Sequence, residues 1–433
     1  MNRMKDERKK EDERNEKRMR QIRGTCFLIV LVFALSLGPG HKAFAQAADL
    51  SYVLTDIGEI SVPPEVQVVG LGEASHGVAE YQEMKGEVFK ALVKNNGCRT
   101  FIIEGDFGGA LKVDEYICGG EGTAEESVAE IGFGIYRTRE MADLVEWMRS
   151  YNEALPPEEA LHFYGMDLQR FDNNKEYLFS VLEQVEPSLA SQYRLKMADL
   201  NDEKAYSLDK DSLTGAEDTL STFMKELDAL EEEVVKSLGQ SAFDFARECA
   251  KTIQDHVHLQ LSSSYNATRD RLMYEKVQWF MEHGDGSLLF INGHNGHIGK
   301  TSIARYTCLG KLLSEDLGSG YYSIGTDAAI TAFQSQQAQG GFEVMEVSNT
   351  NDLNDLCDAV SGGKFFIDFA TALEDTGWRE ILTGKQRVTT LNVSLSALEK
   401  WLKAAYTVVI TPQKTYDAMI VFRQVSPMTL ISN

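Results

Sequence analysis

Five short apolar runs in this chain each stop at glycine and a polar residue. Residues 66–72 (VQVVGLG) run into Glu73, and residues 100–103 (TFII) run into Glu104, Gly105 and Asp106. Residues 161–166 (LHFYGM) end at Asp167, 287–292 (SLLFIN) at Gly293, His294 and Asn295, and 321–325 (YYSIG) at Thr326 and Asp327. Continuous apolar runs of this length, bounded by glycine, fit strands buried on both faces. Helical spacing fills the gaps. Tyr81, Met84, Val88, Phe89, Leu92 and Val93 fall near i, i+3, i+4 positions between Val78 and Lys94, and Asn95-Asn96-Gly97 stops the run. Thr138 to Asn152 gives a second helix, with Met141, Leu144, Val145 and Met148 on one face. This alternation predicts a right-handed strand–helix–strand crossover and an α/β layered fold.

From Phe171 to about His283 the strand runs disappear. Helical spacing in Leu220-Phe223-Leu227-Leu230 and Phe245-Cys249-Ile253 marks a helical insertion, about 171–283, between two strands of the sheet. Residues 334–341 (QSQQAQGG) read as a flexible loop. The tail returns to β-type sequence at 406–410 (YTVVI) and 417–425 (DAMIVFRQV), expected as a mixed or antiparallel edge. The expected architecture is a layered, mostly parallel central sheet flanked by helices, occupying residues 46–433 as one domain.

Charge changes the picture little. A formal net charge of -23 over 433 residues argues against nucleic acid as partner, because phosphate binding needs a basic footprint. The N-terminus says more. Cys26 to Leu37 (CFLIVLVFALSL) is too short to span a bilayer, which takes ~20 apolar residues. With Arg20 and Arg23 before it and Ala43-Phe44-Ala45 after it, the run has the form of a signal peptide covering residues 1–45. An uncleaved N-terminal anchor is the alternative, and translation from Met19 rather than Met1 would give a leader of ordinary length. Either reading expects a secreted or cell-envelope protein, touching membrane only through the leader. Five cysteines remain beyond it, scattered and without a CxxC pair: neither a disulfide framework nor a zinc ribbon, though a Cys98–Cys118 bridge is open.

In an open α/β sheet, ligands bind beyond the carboxyl ends of the strands. That rule gathers Glu73, His76, Glu104, Asp167, His294 and His297. If the first two strands are neighbours, their ends lie ~5 Å apart, and Glu73, His76 and Glu104 share a cleft floor. An imidazole beside a carboxylate is a general base, and a second carboxylate could handle the leaving group. Each residue also has a plain structural role open to it. A carboxylate at a strand end can cap the next helix, a task Ser75 could perform instead, and Asp167 is expected to orient loop backbone. His256 and His258 are expected at the surface. There is no G-x-S-x-G elbow, Walker A sequence or H-E-x-x-H motif, and Gly70-Leu71-Gly72-Glu73 is not a dinucleotide fingerprint. The expected mechanism is direct attack of water without a covalent intermediate, with two rivals: the same His/Glu set holding a metal ion that activates water, and a non-catalytic exported binding protein.

The segment GLGEASHGVAEYQEMK (70–85) resembles the first signature of the erythromycin esterase family. The likeness continues in order through FIIEGD, YICGG (116–120), YRTREMADLVEWMRSYN (136–152), FYGMDLQ (163–169), TRDRLMYEKVQWF (268–280), NGHNGHI (292–298) and YDAMIVFRQVSPMT (416–429). Ser75 replaces the usual threonine, and Tyr136 stands where tryptophan is common. The resemblance implies hydrolysis of a small-molecule ester or lactone, macrolides among them, with His76 as catalytic base and Glu73 and Glu104 as neighbouring acids. It places the second histidine motif at His294 and His297 and an Arg-Asp helix motif at Arg269 and Asp270. His297, Arg269, Asp270 and Tyr136 are the expected substrate-binding residues, with His294 or Arg269 on the developing oxyanion. No cofactor is assigned, although a metal ion is possible.

Overall fold

The computed structural model describes residues 48–431, apart from 304, 338 and 339. The leader therefore lies outside the described residues. Eleven strands are seen among them: β1 (Val53–Leu54), β2 (Val68–Glu73), β3 (Thr100–Asp106), β4 (His162–Asp167), β5 (Leu289–His294), β6 (Tyr321–Gln336), β7 (Phe342–Ser348), β8 (Lys364–Asp368), β9 (Gln386–Thr389), β10 (Thr407–Ile410) and β11 (Ala418–Val425). Nine of them form one sheet in the order β1-β8-β11-β6-β2-β5-β3-β4, with β7 paired to β6. The six strands from β11 to β4 run parallel. The fold is α/β, a mostly parallel central sheet flanked by helices.

Period-two alternation divides the apolar runs between two helical layers. Val69 and Leu71 of β2, Phe101 and Ile103 of β3 and Phe290 of β5 face the core that holds α1 (Ala79–Asn96) and much of α2 (Phe107–Ile117) and α3 (Arg139–Asn152). Val68, Ile102, Leu289 and Ile291 face the other way. There they meet the helices between β4 and β5: α4 (Asp172–Val185), α5 (Pro187–Lys196), α6 (Lys210–Asp228), α7 (Glu231–Leu238), α8 (Gln240–Leu261) and α9 (Tyr265–His283). Burial of both sheet faces is why these strands read as unbroken apolar runs.

One condition fails and three expectations need correction. β2 and β3 are not neighbours, because β5 lies between them. β11 is not an edge strand: it sits inside the sheet, parallel to β6 and antiparallel to β8, while β10 pairs with β9 in a separate two-stranded sheet. β6 runs on past Asp327 to Gln336 and pairs antiparallel with β7, so residues 334–336 of the expected loop belong to a strand. His256 is fully buried, its Nδ1 2.8 Å from the Leu168 carbonyl and its ring 4.2 Å from that of Phe171. Cys98 and Cys118 are both free thiols; Cys98 is buried and its Sγ donates to the Leu288 carbonyl.

Candidate active site

The sheet order sets the site. Because β5 enters between β2 and β3, His294 stands in register beside Glu73 on one side, and Glu104 extends from β3 on the other. The β3–β4 pairing slips between Ile103 and Asp106, an irregularity of the kind that re-aims side chains at functional sites. Glu104 crosses over Gly293, where an added Cβ would lie 2.9 Å from Glu104 Oε2. Glycine at 293 is what makes room for that carboxylate.

Glu73 caps nothing. α1 starts without a side-chain cap, and the Ala79 amide donates instead to the Ser426 carbonyl at 2.9 Å. At the end of β3 it is Asp106 that caps the following helix, accepting the Gly109 amide at 2.8 Å. Freed from that task, Glu73 Oε1 accepts His76 Nδ1 at 2.7 Å. Its Oε2 lies 3.1 Å from Lys85 Nζ, an ion pair without hydrogen-bond alignment whose cation is fully buried. Burial pushes the Glu73 carboxyl upward, but the Lys85 charge and the His76 contact more than offset it and hold it at about 2. With Nδ1–H committed to this carboxylate, His76 keeps Nε2 as its lone-pair nitrogen.

His294 is fixed in the opposite sense. It occupies the N-cap position of the short helix α10 (Asn295–Ile298), and its Nδ1 accepts the Gly296 amide at 3.1 Å. That bond requires the Nε2–H tautomer, and His294 Nε2 is buried without a hydrogen-bond partner among the described residues. Burial, together with the neighbouring His76 and His297, brings the His294 pKa down to about 3, so the ring stays neutral. The His76 and His294 rings lie 5.4 Å apart. One presents an acceptor and the other a donor.

Glu104 is saturated. Its Oε2 accepts the His294 amide at 2.7 Å, and its Oε1 meets Arg269 Nη2 at 2.8 Å and His297 Nε2 at 3.2 Å. Burial raises its pKa, yet His297 and Arg269 hold it well below the carboxylate range. Arg269 also grips Asp167, Nε to Oδ1 at 3.0 Å and Nη2 to Oδ2 at 2.7 Å. Asp167 thus does two jobs, since its Oδ1 also takes the Leu168 amide expected for it. His297 Nδ1 faces Asp270 Oδ1 at 2.8 Å. Burial lowers the His297 pKa, but Glu104 and Asp270 together raise it to about 10. A protonated His297 has two donors, so the 3.3 Å approach of Arg269 Nη1 to its Nε2 is a contact of two cations rather than a hydrogen bond.

A cleft of about 470 Å³ opens above these groups, lined by His76, Glu104, Tyr136, Asp167, Arg269, His294 and His297, with Phe133, Ile135, Gln169, Tyr206, Gln336, Asn392 and Val393 at its walls and rim. The structure therefore brings Glu73, His76, Glu104 and His294 together, with Arg269, His297 and Tyr136 around the same space. Tyr136 donates its hydroxyl to the Glu104 carbonyl at 2.7 Å. Asp270 is fully buried behind His297, where it also accepts the Leu309 amide, and it reaches the cleft only through that ring. Lys85 is a further member of the site, beyond the residues expected from the sequence. Its signal was there: a lysine between Tyr81 and Phe89 at i+4 and i−4 lies on the apolar face of α1.

Among the described residues, the one group of three or more His, Cys, Asp or Glu ligand atoms within 4.8 Å of one another is Asp114, Cys118 and His162, away from this cleft.

The fold and site together define an α/β protein with a buried His/Glu cleft beyond the carboxyl ends of the parallel strands. The erythromycin esterase family model matches residues 93–425, and the chain belongs to that family. Erythromycin esterase type II of Escherichia coli is 23% identical over 314 residues, 63% of this chain and 71% of that protein. Among solved structures, a Bacillus cereus protein superposes with a TM-score of 0.74 at 24% identity, covering 90% of this chain and 98% of its own. A succinoglycan biosynthesis protein gives a TM-score of 0.76 at 20% identity over 92% and 100% of the two chains. An erythromycin esterase mutant, EreC in its open conformation, gives 0.62 at 14% identity over 88% and 95%. Family membership suggests a hydrolase acting on esters, with a small-molecule ester or lactone as substrate.

Proposed function

We propose that this chain is an exported hydrolase that cleaves a small-molecule ester or lactone by direct attack of water, with His76 as general base. The observation that carries the reading is the pair of imidazoles locked in complementary tautomers: His76 by Glu73 and His294 by the Gly296 amide. Water held at His76 Nε2 attacks the carbonyl carbon while Nε2 takes its proton, and the resulting imidazolium is balanced by Glu73. The carbonyl oxygen gains negative charge and takes the Nε2–H of His294, a donor whose tautomer is fixed beforehand and which substrate entry must uncover. Collapse of the tetrahedral intermediate breaks the C–O bond, and the proton on His76 passes to the departing alkoxide. An acid and an alcohol result, or one hydroxy acid from a lactone.

In this scheme Glu104 acts as a strut: it holds the His294 backbone from one side and the Arg269–His297 pair from the other. Arg269 supplies positive potential to the cleft wall, while Phe133, Ile135 and Val393 supply apolar contact for the substrate body. Action on macrolides, and release through the leader to the envelope or medium, belong to the same proposal. The test is turnover of an ester and lactone panel by the secreted protein and by His76→Ala. Loss of about 10²–10⁴-fold in kcat with an unchanged unfolding midpoint is expected. A variant as active as the parent would remove His76 from the mechanism.

A further inference from the structure

We propose that Asp114, Cys118 and His162 form a second, independent site that takes one divalent transition-metal ion, with zinc best matched to its ligands. Asp114 lies in the last turn of α2 and Cys118 is that helix's C-cap, four residues on, so both side chains share one face. His162 opens β4 and comes alongside, with Nδ1 3.1 Å from Asp114 Oδ1. The ligand atoms of all three lie within 4.8 Å of one another. Ligands at zinc bond lengths in a tetrahedron stand roughly 3.3–3.8 Å apart, so a small rotation of the exposed Cys118 side chain closes the set.

The three residues are held in place. Asp114 Oδ1 takes the Phe163 amide at 2.9 Å, which anchors the carboxylate and ties α2 to β4. The His162 ring stacks on Tyr164, 5.7 Å between centroids and 5° from parallel. Arg149 Nη1 donates to the Tyr116 carbonyl at 2.7 Å and the Gly120 carbonyl at 2.8 Å, bracing the turn that carries Cys118. Such supporting bonds are what metal ligands need to keep their orientation.

The chemistry selects the ion. A thiolate, a neutral imidazole and a carboxylate bring two negative charges, which a divalent cation neutralises, and the carbonyl end of α2 adds negative potential. Thiolate with imidazole favours zinc or cobalt over calcium or magnesium, whose ligands are oxygens. Three protein ligands leave a fourth position for water. The site lies at the amino end of β4, whereas the cleft lies beyond the carboxyl end of that strand, so a bound ion would staple helix to strand rather than join the hydrolytic chemistry.

Cobalt is the probe. The full chain, reduced and stripped with chelator, is titrated with Co²⁺ and followed by absorption, then challenged with Zn²⁺. One equivalent should raise a thiolate-to-cobalt charge-transfer band with tetrahedral d–d bands, and zinc should abolish both. Cys118→Ser should remove the charge-transfer band, and His162→Asn should weaken binding by more than the ~10–100-fold that loss of an outer-shell partner costs. Zinc should raise the melting temperature of the parent but not of either variant. A titration without the charge-transfer band, or a band that survives Cys118→Ser, would overturn the assignment. So would cobalt binding of equal strength in both variants, which would place the ion elsewhere.

Discussion

At the residue scale the site depends on which charges are balanced and which polar atoms are left open. Lys85 shows the first. It is fully buried, burial pulls its pKa down, and its counterion is the carboxylate that orients His76. Removing it in Lys85→Met leaves Glu73 ionised in a low-dielectric site with only His76 as partner. The carboxyl pKa must rise from about 2, and breaking a buried pair costs ~3–5 kcal/mol. Two outcomes are expected: a lower denaturation midpoint, and an acid limb of the pH–rate profile displaced toward higher pH, because Glu73 protonates sooner. Lys85→Met/Glu73→Gln should recover part of the stability, since no unpaired charge remains, but should lose activity, because a neutral amide cannot balance the His76 imidazolium. Unchanged stability and an unchanged pH profile in Lys85→Met would reduce the ion pair to packing. The pairing was only half legible in the sequence. A cation on the apolar face of α1 could be seen; that its partner was Glu73, twelve residues back across a turn, required the fold.

At the element scale the strands of the site were visible, but their order was not. Apolar runs buried on both faces identify β2, β3, β4 and β5 by composition. Which of them are adjacent is decided by the chain's long return through α4 to α9, and pairings of such separation leave no local trace. The condition that β2 and β3 adjoin therefore fails: β5 separates them and delivers His294 between Glu73 and Glu104. β11 read as an edge because it comes last, although its residues 418–421 are buried on both faces. The glutamine-rich end of β6 read as loop by polarity, yet burial alternates there, with Phe333 and Ser335 inward. The glycine at each strand end was legible as a pattern and acquires its reason only in three dimensions. At Gly293 a methyl group would strike a Glu104 Oε2 already pinned by the His294 amide. Gly293→Ala should therefore cost about 1–3 kcal/mol of stability and lower kcat, because either the carboxylate or β5 must shift. Denaturant unfolding beside single-turnover kinetics would show both losses. Full activity in the variant would mean that Glu104 moves aside freely and braces nothing.

For the whole molecule, the charges gathered at one rim of the sheet make stability depend on pH in opposite directions on either side of neutrality. His297, raised to about 10 from an ordinary 6.5, stabilises the fold fully below pH 6.5 and progressively less as pH rises through 10. His294, lowered to about 3 from the same 6.5, contributes above pH 6.5 and loses that contribution as pH falls toward 3. Glu73, at about 2 against an ordinary 4.5, adds a further acid loss between those values. Lys85 works against His297 on the alkaline side, because a lysine depressed by burial is relieved as it deprotonates. The clean comparison is therefore a difference between proteins. Urea midpoints measured from pH 5 to 10 should fall away less steeply above pH 6.5 in His297→Gln than in the parent. In His294→Gln they should fall away less steeply below it. If the His297→Gln curve runs parallel to the parent's across the alkaline range, then His297 carries no extra proton in the fold. It would then be free to accept a bond from Arg269 Nη1, and the cation pair that holds Glu104 would reduce to Arg269 alone.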